Sequence, residues 1–168
     1  LGVEATLGVA LVYLIVTGLA NTAPILPGNA GVYQGAALGA LALVVWTLTE
    51  YVLHRFVFHF PAKSRITKYL VFMFHGVHHE TPRDKTRLVM PPAGGILLLL
   101  VLYQVFRLVV PAPWIEPFLA FFIIGYLAYD YLHYAAHHFA MRAPLLHFLK
   151  VYHLQHHYGA KGLRYGVS

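Results

Sequence analysis

Hydrophobic residues in this chain come in long unbroken runs, not in the short alternation of half-buried strands or the one-sided stripe of soluble helices. Four runs reach or approach the roughly 20 residues that a helix needs to cross a bilayer. They cover about Gly2–Ala20, Val32–Leu53 (VYQGAALGALALVVWTLTEYVL), Gly94–Val110 (GGILLLLVLYQVFRLVV) and Trp114–Leu132 (WIEPFLAFFIIGYLAYDYL). Only PAP (Pro111–Pro113) separates the last two, which predicts an antiparallel helical hairpin. Trp114 and the tyrosines near run ends suit the membrane–water interface. The first run is long and has no basic flank, so it reads as a span and not as a cleaved signal. The expected architecture is all-α: an integral membrane protein with four transmembrane helices, forming a single domain over residues 1–168.

Composition sharpens this. Of the 168 residues, 59% are hydrophobic and 11% charged, against about 45–50% and about 25% in soluble domains. Mean hydropathy is +0.63. The net charge of +6 does not point to nucleic acid, because the basic residues flank apolar runs instead of covering a polar domain. Seven of the 12 Lys and Arg lie between Arg55 and Arg87, four follow the last run (Arg142, Lys150, Lys161, Arg164), and only Arg107 lies elsewhere. The link between the first two runs has none. The positive-inside rule then places both termini and the segment after the second run in the cytoplasm. The sequence begins at Leu1, not Met, and stops in GLRYGVS, so a trimmed piece of a longer chain is expected.

There is no cysteine, hence no disulfide and no thiolate ligand. Histidine, by contrast, occurs 12 times. Ten of these fall into four patterns: HRFVFH (His54, His59), HGVHH (His75, His78, His79), HYAAH (His133, His137) and HLQHH (His153, His156, His157). All 12 follow either the second or the fourth run, on the same predicted side of the membrane. On an α-helix, residues i+3 and i+4 lie about 60° and 40° from residue i, so HLQHH and HYAAH each present one face. The i, i+5 pair of HRFVFH would splay by about 140° on a straight helix. It converges only if the helix ends or kinks there, for which Pro61 is a candidate cause, or if the two rings serve different metals.

Imidazole suits Fe, Zn, Cu and Ni. A mononuclear site takes roughly four to six ligands, so ten grouped histidines predict two metals with about five each. A ligating ring wants an acceptor on its second nitrogen. Glu50 and Asp130, four and three residues before His54 and His133, are expected to orient those rings, or alternatively to pair with nearby cations such as Arg55. His138 and His147 read as ordinary structural histidines, and PRDKTR (Pro82–Arg87) as a solvated loop. A pH sensor would need only a few histidines. A metal transporter would place ligands near the bilayer midplane on broken helices, whereas no cluster here lies in mid-run.

The stretches EYVLHRFVFH (Glu50–His59), HGVHHETPRDKTRLVMPP (His75–Pro92), YDYLHYAAH (Tyr129–His137), LKVYHLQHHY (Leu149–Tyr158) and the final RYGVS together resemble the fatty acid hydroxylase superfamily of membrane di-metal oxygenases. DKTRLVMPP and the YD before HYAAH are most similar to its fatty acid 2-hydroxylase branch. The resemblance implies a cytoplasmic helical cap that gathers the histidines around two metals. It also implies O2-dependent hydroxylation at C2 of an acyl chain, free or amide-linked as in a sphingolipid. Sterol and carotenoid hydroxylases and desaturases share the histidine motifs and are the alternative.

Cleaving an unactivated C–H bond is beyond the acid–base chemistry of His, Asp or Glu. The implied metal is therefore iron, with zinc able to occupy the same imidazole sites. No HPGG heme motif occurs in these residues, so electrons are expected from a separate cytochrome b5 or ferredoxin. The acyl chain is expected along the apolar ends of runs two to four, with Arg83, Arg87 or Tyr158 reading its head. The membrane is expected to be a bacterial inner membrane, given the Ala-, Val- and Gly-rich runs, or the endoplasmic reticulum.

Overall fold

The computed structural model describes residues 30–86, 92–159 and 164–167. The first apolar run, Gly2–Ala20, lies outside the described residues. Among those described there are helices and turns and no strand. Helix α1 (Ala30–Val52) passes directly into a π-helical turn, Leu53–Phe58. Helix α2 (Arg65–Val71) passes into a second π-helical turn, Phe72–Gly76, and then into the single turn α3 (Val77–Glu80). Helices α4 (Pro92–Phe106), α5 (Ile115–His138) and α6 (Pro144–Tyr158) follow.

Two continuous helical stretches are long and apolar enough to cross a membrane: Tyr33–Phe58 with 26 residues and Ile115–His138 with 24. Helix α4 is apolar but shorter, and it stops at Phe106, so Arg107–Val110 leave the helix that the sequence extends through them. Pro111 and Pro113 lie just beyond; a proline has no N–H to give and cannot continue the ladder. The chain turns there, with Val110 N–H donating to the Phe106 carbonyl (2.7 Å) and Trp114 N–H to the Pro111 carbonyl (2.8 Å).

The described residues divide into two compact units. The first takes residues 30–46 and 92–127. Phe106 meets Phe118 and Phe122 at 5.1 and 4.9 Å between ring centroids, folding the end of α4 back on the start of α5 as the short link predicts. Trp46 packs edge-on against Phe122 and Tyr126. Gly125 makes that packing possible, since a Cβ there would sit 2.8 Å from the Trp46 side chain.

Along α1 the buried residues are Gly31, Gly35, Gly39, Ala42, Trp46, Glu50, while Leu41, Leu43, Val44 and Leu48 are exposed. Mostly small residues with one tryptophan and one carboxylate inside, and large aliphatic ones outside, is the reverse of a soluble helix. It is the arrangement of helices packing together in lipid, where small residues let backbones approach.

The second unit takes residues 47–86, 128–159 and 164–167, and it holds all 12 histidines. Ser64 caps α2, its Oγ accepting from the Thr67 N–H at 3.1 Å. Met141 turns the chain between α5 and α6 with φ of 44°, and Pro144 begins α6 at the position where a missing N–H costs nothing. The PRDKTR loop is ordered locally by Asp84, whose Oδ1 accepts from both the N–H and the hydroxyl of Thr86.

Candidate metal centre

The ten patterned histidines converge into two groups of five. His54, His59, His75, His79 and His156 form the first; His78, His133, His137, His153 and His157 form the second. Within each group, one ring nitrogen per residue lies within 4.8 Å of all the others.

Local geometry explains how each pattern contributes. In HRFVFH the helix widens by one residue, and the His59 N–H donates to the His54 carbonyl at 3.1 Å, an i→i−5 bond. Such a turn brings residue i+5 above residue i, and the two rings stack with centroids 5.1 Å apart. The convergence expected from a helix end or kink is thus produced by a π-helical turn, and both rings belong to one group.

Both HxxHH motifs split between the groups. His75 and His79 join the first and His78 the second; His153 and His157 join the second and His156 the first. Residues i and i+4 sit one above the other on a helix, and i+3 stands to one side. Each motif therefore reaches both groups. His133 and His137, i and i+4 on α5, both serve the second.

Pairs of Nε2 atoms face one another at short range. In the first group His59–His156, His75–His79 and His79–His156 stand at 3.0, 2.9 and 3.2 Å. In the second, His78–His133, His137–His153 and His153–His157 stand at 2.8, 2.7 and 3.1 Å. A neutral imidazole nitrogen offers either one proton or one lone pair. The Nε2 atoms of His79, His156 and His153 each face two others, so proton sharing cannot satisfy both contacts at once.

A cation at each focus would satisfy them all. With metal–nitrogen bonds of about 2.0–2.1 Å and angles near 90–109°, neighbouring ligand nitrogens stand about 2.9–3.3 Å apart, close to the spacings observed. The residues present fit a pair of metal ions.

Electrostatics point the same way. Burial, and then the neighbouring imidazoles, push the His59 ring from 6.5 down to about 4 and the His78 and His79 rings down to about 3. His75, His153 and His157 are likewise held below the ordinary value, burial being the largest cause. These rings are neutral at physiological pH and keep a lone pair to donate.

The remaining residues singled out from the sequence are placed as follows. Glu50 is buried, and its Oε1 accepts the main-chain N–H of Val167 at 2.8 Å. Asp130 is half-buried on α5, one turn before His133. His138 leans on Tyr134 with ring centroids 4.4 Å apart, and His147 is exposed; neither joins a group. Arg83 and Tyr158 are exposed, Tyr158 beside His157, and Arg87 lies outside the described residues.

Sequence reasoning passed over Tyr165 as a site residue. Its ring meets those of His54, His59 and His156 at 5.8, 5.2 and 5.2 Å. No local spacing links Tyr165 to those histidines; the contact is made by long-range folding.

The family model for fatty acid hydroxylase matches residues 39–168, well over half of the chain and all ten of these histidines. The chain belongs to the fatty acid hydroxylase family. Among its relatives in this family are a dihydroceramide fatty acyl 2-hydroxylase of Arabidopsis thaliana, 37% identical over 77% of this chain and 54% of its own length, and a ceramide very long chain fatty acid hydroxylase of Saccharomyces cerevisiae, 40% identical over 78% and 35%. A fatty acid 2-hydroxylase of Homo sapiens is 35% identical over 76% and 35%. The chain thus spans about half of the plant relative and about a third of the other two. Among solved structures, full-length scs7p with only its hydroxylase domain visible superposes with a TM-score of 0.86 at 34% identity, over 96% of this chain and 61% of that one.

Proposed function

We propose that this chain is an O2-dependent fatty acyl 2-hydroxylase acting at a two-metal centre in a membrane. One observation carries the reading: ten imidazoles, drawn from four separated motifs, aim single nitrogens at two foci of five. The names of the relatives, which specify fatty acyl and ceramide substrates and hydroxylation at C2, support the substrate class. The reaction converts R–CH2–C(=O)X, O2, two electrons and two protons into R–CHOH–C(=O)X and water.

His54, His59, His75, His79 and His156 would hold one metal, and His78, His133, His137, His153 and His157 the other. Iron is the metal in this reading, with zinc binding the same imidazoles in a resting or purified sample. When bound, the pair supplies the O2 activation and electron transfer that no side chain here can perform.

The chain's own part is to hold ten neutral rings in place. It also keeps water out, since seven of the ten are buried, and positions an acyl carbon beside them. Electrons come from a carrier such as a cytochrome b5 or a ferredoxin. Arg83, Arg87 and Tyr158 are candidates for reading the acyl head group, and Asp130 for steadying His133.

The reading includes four membrane spans, with the histidine unit and both termini on the cytoplasmic side of a bacterial inner membrane or the endoplasmic reticulum. The inverted burial of α1 and the two long apolar helices support membrane insertion. The match over residues 39–168 runs through both compact units and supports one hydroxylase domain over residues 1–168.

The test is mass spectrometry of hydrolysed fatty acids from cells expressing this chain with a suitable reductase, beside cells expressing His156→Ala. New 2-hydroxy acids in the first and none in the second are expected. Their absence from both at good expression overturns the assignment.

A further inference from the structure

Among the described residues, the first histidine group has a neighbour that the second lacks. Residues 164–167 run against it, with the Tyr165 ring touching three of its five imidazoles, on His54, His59 and His156. The same ring stands edge-on to Tyr51 at 6.5 Å, and the Arg55 guanidinium lies 5.9 Å from its centroid. Two residues on, Val167 is 2% exposed, and its N–H is received by Glu50, itself 3% exposed. That hydrogen bond joins positions 117 apart in sequence.

A buried carboxylate is costly unless its oxygens are used, and a charge-assisted bond to a main-chain N–H is among the stronger single contacts available. Glu50 lies one helical turn before His54 on the same buried stripe of the helix. The carboxylate thus anchors the strap close to the ring that the strap covers.

We infer that Glu50 is a positioning residue for the first metal site, acting through the Val167 N–H to hold Tyr165 against His54, His59 and His156. It rests on the two-metal reading above. Tyr165 contributes through its ring, so phenylalanine should serve as well. The strap slows loss of the metal held by the first group and does not act on the second, whose five rings make no ring contact with Tyr165 among the described residues.

The experiment is chelator-driven metal release from the purified, metal-loaded chain in detergent, followed by metal analysis. Wild type should hold two ions and release them in two phases, and the phase missing from His59→Ala identifies the first group. In Glu50→Ala that phase should accelerate about 10–100-fold, the range for losing a partner one shell out from a metal, while the other phase keeps its wild-type rate. Glu50→Gln keeps an acceptor oxygen for the Val167 N–H and should release like wild type. Val167→Pro removes the N–H and should behave like Glu50→Ala, as should Tyr165→Ala, whereas Tyr165→Phe should not.

Equal acceleration of both phases in Glu50→Ala would mean general loosening of the fold and would overturn the inference. So would unchanged release in Glu50→Ala, or a Glu50→Gln variant as fast as Glu50→Ala. A wild-type chain that binds no metal sinks the two-metal reading itself, an outcome distinct from these.

Discussion

The first histidine group takes His54 and His75 from π-helical turns and borders on residues 164–167, whereas the second takes four of its five rings from the regular helices α5 and α6. The second is also the more enclosed: only His157 is partly exposed, against His59 and His79 in the first. Regular i, i+4 pairs need nothing beyond an α-helix to converge. An i, i+5 pair needs a local change of hydrogen-bond register, and a π-helical turn is rarely stable without functional or tertiary support. Two centres with the same donor set can therefore depend on quite different parts of the fold. The first should be the more labile.

The largest expected effects separate the groups directly. His133→Ala removes a buried ring of the second group and should abolish 2-hydroxylation and leave one metal per chain. His59→Ala should leave the other metal behind with a milder loss of folding stability, because that ring is partly exposed. Metal analysis of each variant decides the matter. If both variants lose both ions, the groups are not independent and the comparison fails.

Acid should act next most strongly. In the unfolded chain these histidines titrate near 6.5, while in the fold burial holds His59 at about 4 and His78 and His79 at about 3. The unfolded chain then binds more protons at any pH between those values. Stability of the metal-free chain should fall as pH drops below about 6.5 and level off in slope as each folded ring finally charges. Melting temperatures of the metal-free chain from pH 8 to pH 5 test this, and a flat profile would contradict it.

A change in the compact unit that holds no histidine calibrates the others. Gly125→Ala places a methyl 2.8 Å from the Trp46 side chain and should cost about 1–3 kcal/mol of stability through overpacking. Thermal unfolding should show the loss while two metals per chain remain. The smallest effect is expected at His138, whose Nε2 is buried without a hydrogen-bond partner among the described residues and whose ring leans on Tyr134. His138→Phe keeps the ring contact and should change stability by less than about 0.5 kcal/mol. Loss of a metal in that variant would mean the groups extend beyond the ten.

Helical class, the apolar runs in α1, α4 and α5, and the ten histidines were all legible in the chain, because each rests on local spacing or residue type. The even division into fives followed from ligand number. Less legible was the end of α4, where the apolar pattern runs on through Val110 although the helix stops at Phe106. Hydrophobicity reports burial in protein or lipid, not hydrogen-bond register. The same limit applies at HRFVFH, whose i, i+5 spacing signals an irregularity without saying which kind.

What the sequence by itself determined is the donor set: ten imidazoles, no thiolate, and i, i+4 faces that present them in pairs. Only the tertiary structure decided which nitrogen joins which group, and that Glu50 receives the N–H of a residue 117 positions away. The physical reason is range. A helix dictates the directions of its own side chains over about one turn. The meeting of rings from separate helices, and the pairing of a buried carboxylate with distant backbone, depend on packing that no short stretch of sequence encodes.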